Sequence, residues 1–112
     1  MKGMKGMRTL SFIVDGQIIK QNPECDFSDI VPGSSGYLIA KFKFSNDWDN
    51  TVKVAIFQNG ENESYPTILK DGSSCIIPSE VLINKQFTIS VLGKNEKIKI
   101  TTNKIKVVQN GG

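Results

Sequence analysis

The feature that most constrains this chain is the alternation in YLIAKFKF, residues 37–44. Leu38, Ala40, Phe42 and Phe44 fall on one face of an extended strand, and Lys41 and Lys43 fall on the other. Successive strand side chains point to opposite faces, so this pattern specifies a sheet with one dry and one wet side. The same period recurs along the chain. Residues 9–14 (TLSFIV) and 17–20 (QIIK) flank Asp15-Gly16, a tight-turn pair. Residues 51–58 (TVKVAIFQ) set Val52, Val54 and Ile56 against Lys53, Ala55 and Phe57, apolar on both sides as a central, covered strand would be. Asn59-Gly60 then signals a hairpin.

The remaining chain continues in this manner. Residues 64–69 (SYPTIL) hold Pro66, which cannot donate to a ladder and so belongs at a sheet edge. Asp71-Gly72 turns the chain into residues 74–77 (SCII). Residues 78–82 (PSEVL) make the one plausible helical turn. In residues 86–92 (QFTISVL), Phe87, Ile89 and Val91 share a face. A turn at 93–96 leads into residues 97–108, whose halves, Ile98/Ile100 and Ile105/Val107, keep opposite phase. That odd step at Thr102-Asn103 implies a bulge or a crossing between sheets. About seven or eight short strands at this spacing give a small, immunoglobulin-like antiparallel β-sandwich. The expected organisation is a disordered leader over 1–7, a single domain over 8–109, and the start of a linker or tail at 110–112.

Composition narrows the function more than it names one. The chain has 112 residues, of which 38% are hydrophobic, and no histidine. The commonest general base, zinc ligand and partner of a Ser or Cys nucleophile is therefore missing. Glu61, Glu63 and Glu80 form no evident acid–base pair, and Gly33-Ser34-Ser35-Gly36 opens no helix for a phosphate. The expectation is a protein that is not an enzyme, with no catalytic residue, metal or cofactor. The net charge is +3, and setting aside Lys2 and Lys5 of the repeated MKG opening leaves +1. Scattered lysines suit a phosphate backbone poorly, so no nucleic acid is expected. No apolar run approaches the ~20 residues that span a bilayer, and MKGMKG has no signal-peptide core, so neither a membrane nor secretion is expected. Cys25 and Cys75 are then read as reduced.

Several residues admit two uses. Asn46, Asp47, Asp49 and Asn50 surround Trp48 either as oxygen ligands for a hard cation or as a polar turn with the indole plugging the core. Lys41, Lys43 and Lys53 are read on polar faces. Trp48, Tyr37 and Tyr65 form either a sugar platform or core packing. Residues 22–35 form a long polar connection in which Phe27, Ile30 and Val31 are either a partner contact or a lid on the core. Tyr65 and Pro66 complete the candidate contact, since an edge strand offers unpaired backbone to another chain.

Three stretches, YLIAKFKFSNDWDNTVKVAIF, SSCIIPSEVL and FTISVLGKNEKIKITTNKIKV, resemble the small N-terminal β-sandwich domains of structural proteins from phages and prophages of Gram-positive bacteria. The resemblance covers about residues 9–108 and is a pattern of core positions with no catalytic signature. It implies a virion structural module of a tail fibre, baseplate or head fibre, made in the host cytoplasm, whose partners are other virion structural proteins. A homo-oligomer in the full-length protein is compatible with it. Only residues 109–112 follow the last strand, so the receptor-binding or trimerising part of such proteins is not within this stretch. The alternative is a carbohydrate- or cell-surface-binding β-sandwich module.

Overall fold

The computed structural model describes residues 7–60 and 63–109. Most of the expected leader, the expected linker and Glu61 lie outside the described residues.

Among the described residues, nine strands form two facing sheets. The first sheet contains β1 (Arg8–Asp15), β2 (Ile18–Gln21), β3 (Leu38–Phe44) and β6 (Ser74–Ile76), in the order β2-β1-β3-β6. The second contains β4 (Val52–Gln58), β5 (Ser64–Ile68), β7 (Gln86–Lys94), β8 (Lys99–Thr101) and β9 (Ile105–Val108). Its order is β5-β4-β7-β8, with β9 also on β7. The alternation read from sequence selects the inner face. Leu10, Phe12 and Val14 of β1 meet Ala55 and Phe57 of β4 and Phe87, Ile89 and Val91 of β7 in one buried core.

Two features refine the sequence reading. β1 and β3 pair in parallel, because residues 22–37 carry the chain back to the starting end before it re-enters the sheet. The other strand pairs are antiparallel. The second feature is β4, which is covered on one side only. Ala55 and Phe57 are buried, whereas Val52 is 62% exposed and Val54 and Ile56 are half-buried on the outer face.

The phase break near Thr102 is a bulge that also ties the sheets together. Thr101 opposes Leu92 in β8, but Ile105 opposes Ile89 in β9, which leaves one extra residue on the bulged chain. Asn103 uses that freedom to reach the other sheet: its N–H donates to the Gln17 carbonyl (3.1 Å) and its side-chain oxygen accepts from the Ile19 N–H (2.9 Å). An asparagine amide substitutes here for a backbone partner at the sandwich rim.

Turn chemistry follows the residues. Gly16, at φ +58°, takes the first position of the two-residue turn between the paired Asp15 and Ile18. Asp71 organises the entry to β6, accepting from the N–H groups of Ser73 (2.9 Å) and Ser74 (2.8 Å) and from the Ser74 hydroxyl (2.6 Å). These bonds, the Ser74 hydroxyl first, hold its carboxyl down to about 2 from an ordinary 3.8. A depressed carboxylate contributes stability above its unfolded pKa and loses it as pH falls through the folded value. Thermal stability should therefore decline from about pH 4 through about pH 2, by about 1 kcal/mol or less because the site is solvent-screened. Asp71→Ala should flatten that part of the curve, and an unchanged slope in melts across this range would refute the assignment.

Gly93 is required by close approach. A Cβ there would lie 2.7 Å from Trp48 Cε3 and 3.0 Å from Thr51 Oγ1. The rigid indole cannot swing aside as a flexible tip would, so Gly93→Ala should cost about 1–3 kcal/mol by overpacking. Urea denaturation checks this, and a neutral result would show that the indole moves freely.

Candidate docking surfaces

The long connection turns inward. Phe27 packs edge-on against Phe12 at 5.4 Å between ring centroids. Ile30 is 1% exposed and belongs to the core cluster, so it is not available to a partner. Val31 alone of the three stands out, at 49% exposure. Arg8 fastens the segment: its guanidinium donates to the carbonyls of Asp26 (3.0 Å), Ser28 (2.7 Å) and Asp29 (3.1 Å). The Ser28 hydroxyl and N–H, followed by the Arg8 charge, hold the Asp26 carboxyl below its ordinary range. Of the two uses open to this loop, the geometry for Phe27 and Ile30 is that of a lid.

Tyr65 and Pro66 part company. β5 is the edge strand on the β4 side, and Tyr65 opposes Phe57, facing inward against the core. Pro66 opposes Ile56 and faces outward, exposed. Backbone bonds from Asn59 N to Glu63 O (3.0 Å) and from Leu69 N to Lys53 O (2.9 Å) set the ladder phase. Counting in twos, residues 63, 65, 67 and 69 bond to β4, and residues 64, 66 and 68 turn their amides to the free edge. Pro66 thus removes the middle donor of that edge, as proline does where edge pairing is to be discouraged.

Other sequence candidates also resolve. Trp48 is fully buried; its Nε1 donates to the Gly16 carbonyl (2.8 Å) and its ring lies 5.1 Å from Phe44. Asn46–Trp48 form a short 3-10 turn between β3 and β4, and the Asp47 carboxylate accepts from the Ser45 hydroxyl (3.3 Å). With Trp48 and Tyr65 turned inward, only Tyr37 of the three ring candidates is markedly exposed, at 43%. Lys41 and Lys43 occupy the outer face of the first sheet, but Lys53 does not join them. It points the other way, bonding the Thr51 carbonyl (3.1 Å) with its ammonium 5.4 Å from the Phe44 ring centroid. Cys25 and Cys75 are free thiols, and burial, then the Asp71 charge, pushes the Cys75 thiol up to about 12.

The surface that sequence reasoning missed is the outer face of the second sheet. The register aligns Ile68, Val54 and Leu92 in one row and Pro66, Ile56 and Ser90 in the next. Ile68 is 57% exposed, and Val52 continues the apolar strip at one end. The signal was present in the two-sided apolar pattern of residues 52–57. Sequence alone reads that pattern as a covered strand, although nothing in the described chain covers that side of β4. Comparison with family models, with curated proteins and with solved structures gave no match.

Proposed function

We propose that the chain is a non-catalytic structural module of a phage virion, part of a tail fibre, baseplate or head fibre, that attaches to other virion proteins. The observation that carries the reading is the exposed apolar outer face of the second sheet. A small domain gains nothing for its own core from Val52, Ile56 and Ile68 there, and contiguous apolar surface of this kind marks protein contacts. The resemblance of residues 9–108 to phage structural domains supplies the setting.

The test is composition of the particle. Particles released from the strain that encodes the chain, purified on a density gradient, should contain it at a fixed ratio to the other structural proteins. Its absence from intact particles rejects the reading.

A further inference from the structure

The apolar strip on the second sheet has a charge pattern of its own. Outward positions are occupied by Val52, Val54, Ile56 and Gln58 on β4, and by Ser64, Pro66 and Ile68 on β5. On β7, β8 and β9 the same face carries Lys94, Lys99 and Lys106, with Thr88 and Thr101 among them. Lys94 lies beside Val52 and pairs with Lys99, at one end of the apolar rows; Lys106 pairs with Thr88 toward the other end. All three lysines are exposed. None of the outward positions on these five strands is Asp or Glu.

An apolar centre whose charged neighbours on these strands are all lysines restricts what can cover it. We propose that this face docks a different protein, one whose apolar contact surface is bordered by carboxylates; the inference rests on the attachment role argued above and names the chemistry of the partner. A second copy brought face to face would set lysines against outward strand positions that hold no carboxylate among the described residues, and like charges confronted in an interface oppose association. An anionic lipid surface would satisfy the lysines but not the apolar rows. Those rows are built of short branched side chains and a proline, without the Trp, Phe or Leu-rich wedge that enters the headgroup region, and Leu92 is only half-exposed. Flat rows of branched side chains suit packing against another sheet or helix face.

The test uses a carbodiimide, which couples lysine amines only to carboxylates in direct contact, on purified particles containing the chain. The expected products join Lys94, Lys99 or Lys106 to Asp or Glu of another virion protein. Lys94→Glu with Lys99→Glu should lower incorporation into particles at least tenfold. Lys41→Glu with Lys43→Glu, on the opposite sheet, should leave incorporation unchanged. Melting curves of both variants should match the parent, which separates docking from folding. Four results would overturn the proposal: full incorporation of the Lys94/Lys99 variant, coupling of these lysines to a second copy, dimerisation of the isolated chain that Val54→Glu abolishes, or flotation with phosphatidylglycerol–phosphatidylcholine vesicles. A chain missing from the particles altogether is a different failure, because it rejects the virion role before the lysines are at issue.

Discussion

Trp48→Ala should lower stability by about 3–5 kcal/mol, the range for emptying a large buried aromatic site. The indole is fully buried and sits where the turn between β3 and β4 closes one end of the sandwich, with Gly93 beneath it and Phe44 beside it. Alanine would leave a cavity bounded by rigid strands, and it would strip the Gly16 carbonyl of its 2.8 Å donor. That lost bond adds about 1 kcal/mol to the transfer and cavity costs. Trp48→Phe should separate the contributions, keeping most of the volume and losing the donor, at a smaller cost. The two residues should also be coupled, with most of the cost of Gly93→Ala removed once Trp48 is alanine, because only the 3.0 Å approach to Thr51 Oγ1 then remains. Urea unfolding followed by far-ultraviolet circular dichroism measures all of this without relying on the single tryptophan. A loss below about 1 kcal/mol for Trp48→Ala would mean that the indole is not part of the core.

Much of this fold was legible because period-two alternation is a local property that the sheets preserve. The inward residues of β3 and β7 are those the pattern selects, and the opposite phases of Ile100 and Ile105 correctly mark the bulge that Asn103 exploits. Pro66 reads as an edge residue for a reason internal to proline, and β5 is an edge. What could not be read depends on partners distant in sequence. The parallel pairing of β1 with β3 depends on the path of residues 22–37, which carries no periodic signal. Lys53 looks like its neighbours Lys41 and Lys43, yet its strand phase turns it inward, where Thr51 and Phe44 hold it. The outer face of β4 was visible as apolar residues, but whether another layer covers a strand is decided by the whole topology. Of the edge-strand pair Tyr65 and Pro66, strand phase turns Tyr65 toward the core and leaves Pro66 on the exposed strip, a split that a two-residue edge reading does not resolve.

Replacing Phe27 and Ile30 together with serine should destabilise the isolated domain by at least about 3 kcal/mol, because both side chains act as a lid on the core. Ile30 is 1% exposed within the main cluster, and an isoleucine emptied to a small residue costs about 2–5 kcal/mol on its own. Serine adds the penalty of a buried hydroxyl that needs a partner. Phe27 contributes less, since it is only partly buried, but its edge contact with Phe12 begins a column of rings that continues through Phe42 and Phe44 to Trp48. The segment has few regular backbone bonds, so its position depends on these two anchors and on the three carbonyls gripped by Arg8. Arg8→Ala should accordingly loosen the same loop at a smaller cost, seen as faster proteolysis near Ser28 while the sheets stay intact. The alternative role for Phe27 and Ile30 is a partner contact, for which the double variant would keep its stability and lose assembly. Denaturant titration of the isolated domain distinguishes the two, and an unfolding free energy within about 1 kcal/mol of the parent would return this loop to the list of docking surfaces.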